Sequence, residues 1–231
     1  MASNDIAVVI GASGGIGSAL CNALEKGGRF AQVIRLSRSS APPVDLLDED
    51  SIVSAADYLR GLDGAPRLII DATGMLNGPG VEPEKSWSAL DPEQMAQSFA
   101  INATGPALLM KYLLPLLKRD DASIFATLSA KVGSIGDNRI GGWWSYRASK
   151  AALNQFVRTA AIELARKNKT AICVALHPGT VDTGLSGKFA KAGLDVRSPE
   201  QAALDLLAVI ERLSPEDTGG FFDYRGEALP W

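Results

Sequence analysis

The chain carries a single histidine, His177, and two cysteines, Cys21 and Cys173. One imidazole and two distant thiols do not make a metal-ligand set. No metal site is expected, and the thiols are expected as buried structural residues in a reducing cytosol. The sequence also lacks a long Lys/Arg run. Its 23 basic and 26 acidic residues leave a net charge of −3, a poor match to a nucleic-acid-binding surface. No apolar run is long enough to cross a bilayer. The opening M-A-S-N-D has neither the basic nor the apolar region of a secretory signal, so a cytoplasmic protein with no membrane partner is expected. Charged residues make up 21% and hydrophobic residues 46% of 231 residues, which excludes a disordered or collagen-like chain and suits one folded domain.

Short apolar runs alternate with helical patterns. The predicted strands are Ile6 to Ile10, Gln32 to Leu36, a short one at Val44 to Leu46, Arg67 to Asp71, Ser123 to Ser129, Thr170 to Leu176 and Gly219 to Tyr224. Predicted helices cover Gly15 to Lys26, Asp48 to Leu59, a long stretch from Asp91 to about Lys118, Ser145 to Lys167 and Pro199 to Arg212. The strands are continuous rather than alternating in polarity, as parallel strands covered on both faces should be. The pattern predicts a doubly wound α/β sheet of Rossmann type, with about seven strands and helices on both faces.

The first strand runs into Gly11-Ala12-Ser13-Gly14-Gly15-Ile16-Gly17 and then a helix. Glycines let a pyrophosphate approach main-chain N–H groups, and the helix N-terminus adds unpaired donors and partial positive charge. The strand–turn–helix setting predicts nucleotide binding by this segment. The end of the second strand reads Arg35-Leu36-Ser37-Arg38-Ser39, with no acid before Asp45. An acid there would bond a ribose 2′-hydroxyl, whereas Arg38, with Ser37, suits a 2′-phosphate, so NADP(H) is the expected coenzyme. Asp45 and Leu46 are expected near the adenine. Tyr146 and Lys150 are spaced i, i+4 and share a helix face. An ammonium beside a phenol is expected to favour the phenolate, making an acid/base pair for carbonyl–alcohol chemistry.

These segments resemble the short-chain dehydrogenase/reductase family, in its single-domain branch. The matching residues are Gly11 to Gly17, D-A-T-G at Asp71 to Gly74 in place of the usual N-N-A-G, Asn102 in I-N-A-T-G, Y-R-A-S-K from Tyr146 to Lys150, and P-G-T-V-D-T from Pro178 to Thr183. The run from Leu128 to Lys150 looks most like sniffer-type carbonyl reductases and C-factor-like bacterial proteins. The resemblance implies that Tyr146 is the acid/base and that Lys150 holds the nicotinamide ribose. It implies that Asn102 interrupts its helix and binds a relay water. Ala72, Thr73 and Gly74 would adjoin the cofactor, and Pro178, Gly179, Val181 and Thr183 the nicotinamide or pyrophosphate. Residues 184–198 would form a short substrate lid on a single cofactor-binding domain covering 1–231. The two long helices would pair subunits into a homodimer or homotetramer.

One departure stands out. The family orients its carbonyl with the second serine of a pair, and here the pair reads Ser129-Ala130. Either Ser129 or Ser134 is a candidate replacement, with Ser134 preferred because its loop can fold back over the nicotinamide; no serine acting is the remaining option. Trp143 and Trp144 line a substrate pocket or fill a surface loop. His177 is expected to have a packing role. The expected function is NADP(H)-dependent hydride transfer to or from a small carbonyl or alcohol. The alternative is a nucleotide-binding regulatory or signalling protein with vestigial reductase activity.

Overall fold

The computed structural model describes residues 4–78, 82–119, 121–183 and 196–231. Strands β1 (Asp5–Ile10), β2 (Gln32–Leu36), β3 (Ala65–Asp71), β4 (Ser123–Leu128), β5 (Ala171–His177) and β8 (Phe221–Asp223) form one parallel sheet of six strands. Their order is β2-β1-β3-β4-β5-β8. Two-residue strands β6 (Thr180–Val181) and β7 (Val196–Arg197) pair separately. The main sheet therefore has six strands rather than the expected seven.

The missing strand is Val44 to Leu46, which is a turn. Pro42 and Pro43, just ahead of it, have no N–H to give a ladder. The Asp45 N–H is taken by Ser51 Oγ at 2.9 Å, and Leu46 packs against Gly105. Asp48 then caps α2 (Glu49–Arg60) by accepting the Asp50 N–H at 3.1 Å.

Side chains alternate across each strand, so the sheet feeds two cores. Ile6, Val8, Ile10, Ile69, Phe125 and Cys173 face one layer. There they meet α2, α4 (Gly105–Leu113) and α5 (Trp144–Lys167) through Ile52, Leu59, Leu109, Leu113, Leu153 and Val157. Ala7, Val9, Ile70, Ala126, Ile172 and Val174 face the other layer. They meet α1 (Gly15–Gly27) and α6 (Pro199–Arg212) through Leu20, Leu24, Leu206 and Ile210. Cys21 and Cys173 are free and buried, and burial pushes the thiols up to about 11 and about 12.

The long helix predicted from Asp91 to Lys118 is broken. It begins as α3 (Pro92–Phe99), with Asp91 accepting the Gln94 N–H at 2.8 Å. Ala100–Thr104 widens into a π-turn containing Asn102, and α4 follows. Because the six strands are parallel, every strand end delivers its following loop to one edge of the sheet. That edge carries the predicted site segments.

Candidate functional site

The glycine turn sits at the end of β1. Gly11 has φ +81°, and a Cβ at Gly17 would lie 2.2 Å from the Gly11 carbonyl oxygen, so no larger residue fits at Gly17. The Gly11 and Ala12 N–H groups donate to the Leu36 carbonyl at 2.9 and 3.0 Å, tying the turn to the end of β2. Ser13, Gly14 and Gly15 are exposed, and Ile16 is half-buried. The α1 N-terminus has no side-chain cap and no acidic residue in its first turn. It therefore presents its orphan N–H groups and partial positive charge unopposed. A Cβ at Gly15 would meet Thr183 Cγ2 at 2.9 Å, so the Pro178–Thr183 segment arches over this turn.

At the end of β2, Ser37 is buried in a serine turn, its Oγ accepting the Ser39 N–H at 3.2 Å. Arg35 is consumed by Glu25 at 2.7 Å and Asn22 at 2.7 Å. Arg38 is exposed and forms no ion pair among the described residues. Asp45 accepts the Leu47 N–H at 3.0 Å.

β3 and β4 end side by side, with Asp71 opposite Thr127. Asp71 is fully buried. It accepts the Thr73 N–H at 3.0 Å, the Thr73 hydroxyl at 2.5 Å and the Thr127 hydroxyl at 2.7 Å. Burial raises its pKa, against these hydrogen bonds and the Lys150 charge. Ala72 gives its N–H to the Ile10 carbonyl at 2.9 Å.

Asn102 is fully buried and clamps the next turn. Its Oδ1 accepts the Met75 N–H at 2.7 Å, and its Nδ2 donates to the Met75 carbonyl at 2.7 Å. The same Nδ2 lies 3.2 Å from Ser149 Oγ and 3.3 Å from Ser98 Oγ. A Cβ at Gly74 would sit 3.5 Å from both Asn102 Oδ1 and Lys150 Nζ, so these three residues meet.

Lys150 is 2% exposed and donates to the Leu128 carbonyl at 2.7 Å. A Cβ at Gly133 would lie 2.8 Å from Lys150 Cβ, so the 131–133 turn seats against this stretch of α5 only because position 133 is glycine. Burial lowers the Lys150 pKa to about 8, against the pull of Asp71. Tyr146 is half-buried as a residue and edge-on to Trp143, with ring centroids 6.3 Å apart. Burial alone pushes its phenol above its ordinary value. The expectation that Lys150 draws the phenol down is corrected: the ammonium is directed to Leu128, and desolvation prevails.

The candidate serines are engaged elsewhere. Ser129 Oγ donates to Asn154 Oδ1 at 2.6 Å. Ser134 Oγ donates to the Trp231 carbonyl at 3.2 Å and accepts the Asp137 N–H at 3.1 Å. Ala130 occupies the family's serine position, nearly buried.

Gly179 has φ +80° and packs on the Tyr224 ring, with Arg197 stacked on that ring at 4.0 Å. Of the expected lid, 184–195 lies outside the described residues; Val196–Arg197 pairs with Thr180–Val181, and Ser198 caps α6. Among the described residues, no group of three or more His, Cys, Asp or Glu is placed to hold a metal. Sequence reasoning missed Glu84, a buried carboxylate that bonds Ser145, and Arg147, whose guanidinium ties Val132, Gly141 and Gly142 to α5. Neither belongs to a motif; the only signal was a charged residue whose partner could not be named.

The family model for short chain dehydrogenases matches residues 5–193. A relative named C-signal, from Myxococcus xanthus, is 37% identical over 160 residues, 68% of this chain and 91% of that protein. The 1-hydroxy-2-glutathionyl-2-methyl-3-butene dehydrogenase of a Rhodococcus species is 30% identical, covering 82% of this chain and 79% of its own. Among solved structures, the carbonyl reductase Sniffer of D. melanogaster superposes with a TM-score of 0.85 at 22% identity, over 99% of this chain and 100% of that one. A short-chain dehydrogenase/reductase from Burkholderia multivorans with bound NADP gives 0.81 at 25% identity, over 99% and 100%.

His177, at the end of β5 opposite Asp223, has its Nδ1 buried without a partner. Burial lowers its pKa to about 4, with Asp223 opposing and Lys131 adding to the shift. The unfolded chain then binds the extra proton first, near its ordinary value of about 6.5. Stability from this group is complete above that value and is lost as pH falls towards about 4, with a slope of at most about 1.4 kcal/mol per pH unit. Urea unfolding at stepped pH should show this slope and lose it in His177→Phe.

Proposed function

Because the chain belongs to the short chain dehydrogenase family, we propose that it is an NADP(H)-dependent reductase of small carbonyl compounds. The observation that carries the reading is the meeting of Lys150, Asn102 and Gly74 at the sheet edge that also bears the glycine turn, with Tyr146 one turn before Lys150 on α5 and lining a small cavity with Met75 and Ser98. The residues present fit the coenzyme. Gly11, Ser13, Gly14, Gly15, Ile16 and Gly17 would hold the pyrophosphate at the uncapped α1 N-terminus. Ser37 and the exposed Arg38 would hold the 2′-phosphate. Asp45 and Leu46 would flank the adenine, and Ala72, Thr73 and Gly74 would line the middle of the cleft. Lys150 would hold the ribose, and Pro178, Gly179, Val181 and Thr183 the nicotinamide end. A bound solved structure of 25% identity carries NADP.

The coenzyme supplies hydride when bound. Tyr146 then protonates the oxygen that gains negative charge. Burial pushes the phenol above its ordinary value, so it is in the protonated form that an acid for reduction requires. Asn102 holds the β3 loop that completes the wall. With Ser129 and Ser134 committed elsewhere, the carbonyl is oriented by Tyr146 without a second hydroxyl. A second reading rests on the C-signal relative and on these engaged serines: a nucleotide-binding signalling protein with vestigial turnover. Tight NADPH binding with no turnover on a panel of aldehydes and ketones would favour it.

We take residues 1–231 as one cofactor-binding unit with its lid near 184–198. No described helix is long and apolar enough to cross a membrane. Two free, buried thiols support a cytoplasmic setting. Between α4 and α5 lies a groove lined by Met110, Leu114, Phe156 and Ala160 together with charged Lys111, Arg119, Glu163 and Lys167, and Phe156 is 40% exposed. It supports a homo-oligomer through these helices. Phe156→Glu should yield monomers in light scattering where the unmodified protein gives dimers or tetramers.

Arg38→Ala should weaken NADPH binding by about 10–150-fold, or about 1.5–3 kcal/mol, and leave NADH almost unchanged in fluorescence titration. Equal affinities of the unmodified protein for the two coenzymes would exclude the 2′-phosphate assignment. Tyr146→Phe should abolish turnover while NADPH still binds; activity surviving that change would point to another acid.

A further inference from the structure

Helix α5 begins without the residue that a helix start needs. The first N–H groups of a helix have no partner within it, and a Ser, Thr, Asp or Asn at the N-cap supplies one. The N-cap of α5 is Trp143, whose side chain makes no capping bond, and no acidic residue lies in the first turn. Trp143 also stands at φ 52°, a left-handed conformation that a bulky residue adopts only when its surroundings hold it there.

Glu84 supplies what is missing, from 61 residues away in sequence. It is 3% exposed. One carboxylate oxygen accepts the Ser145 N–H at 3.2 Å, and the other accepts the Ser145 hydroxyl. Its main-chain carbonyl accepts the Trp143 N–H at 2.5 Å. The next residue after Ser145 is Tyr146, and Trp143 meets the Tyr146 ring edge-on. Glu84 and Tyr146 line one small cavity with Met75, Ser98 and Ser145. The segment bearing Glu84 is itself anchored, since Gln94 Nε2 on α3 donates to the Glu82 carbonyl at 2.8 Å.

We propose that Glu84 is a positioning residue: its carboxylate replaces the absent cap of α5 and thereby fixes where Tyr146 presents its hydroxyl. The proposal rests on the acid role given to Tyr146 above. With both carboxylate oxygens taken by Ser145, Glu84 acts through Ser145 and the helix start. What it must provide is an acceptor at the Ser145 N–H, and an uncharged amide can provide that too. Glutamine would accept the N–H through its carbonyl oxygen and donate its amide N–H to the Ser145 hydroxyl.

The test compares Glu84→Ala with Glu84→Gln in the full chain, reading amide hydrogen exchange, NADPH affinity and turnover. In Glu84→Ala, exchange over residues 144–147 should accelerate by about tenfold or more, because the cap opens locally. Its kcat should fall by about tenfold or more while NADPH affinity stays within about twofold, since a small misplacement of a catalytic group is felt in the chemical step. Glu84→Gln should keep exchange and kcat within about threefold of the unmodified protein. If Glu84→Ala does not fold, Glu84→Asp, one methylene shorter, should show the same split in weaker form. Unaltered exchange, unaltered kcat, or an equal fall in NADPH affinity would each overturn the proposal, as would Glu84→Gln matching Glu84→Ala. If the unmodified protein reduces no carbonyl, the proposed function fails, and the exchange comparison alone then decides whether Glu84 caps α5.

Discussion

Lys150 carries its ammonium in a place that excludes water, and the site is arranged around making that tolerable. A buried cation is stable only with hydrogen-bond acceptors and an opposite charge nearby. The Leu128 carbonyl at 2.7 Å provides the first, and Asp71 behind it provides the second. Both groups sit at strand ends, Leu128 on β4 and Asp71 on β3. The charge therefore needs those two strands to stop where they do. Asp71 in turn needs Thr73 and Thr127, which fill its remaining acceptor positions. A sheet of parallel strands with staggered ends is what allows one lysine on a covering helix to reach all of this.

The second constraint is the break at Asn102. A regular helix from Asp91 onward would carry position 102 past the β3 loop with its backbone fully paired. The π-turn at Ala100–Thr104 lets the Asn102 side chain take both hydrogen-bonding groups of Met75. That bond pair fixes the loop after Gly74, and Gly74 is where Lys150 passes. Three elements distant in sequence thus share one rigid junction. Glu84 extends the junction to the start of α5, so that both ends of the Tyr146–Lys150 turn are held.

Much of this was legible in the sequence. Gly11 to Gly17 could be read because glycine spacing and helix polarity are local properties, and they predict a phosphate cradle without knowledge of the rest. The Tyr146–Lys150 pair could be read because i, i+4 spacing fixes a shared face. Val44 to Leu46 was misread because two apolar residues flanking an acid look the same in a strand and in a turn that packs one leucine against Gly105. Its neighbours Pro42 and Pro43 were the contrary signal. The partner of Lys150 was misjudged for a different reason. Helical spacing says which side chains share a face, but not that a strand-end carbonyl takes the ammonium. Glu84 and Asn154 were illegible because each acts across a long separation, and a single charged or amide residue in a loop announces no partner.

The serine question follows from the same geometry. Ser129 alternates to the side of β4 that faces α5, where Asn154 takes its hydroxyl at 2.6 Å. The next residue, which extended backbone would turn to the opposite side, is Ala130. The opposite side from Ser129 is thus held by a residue with no hydroxyl. Ser134 lies in the loop beyond it, but its hydroxyl holds the chain near Trp231. With both serine hydroxyls committed, the donor groups of the family's usual pair are reduced to one at this end of the sheet, and the strand period rather than the loop is what removes the other.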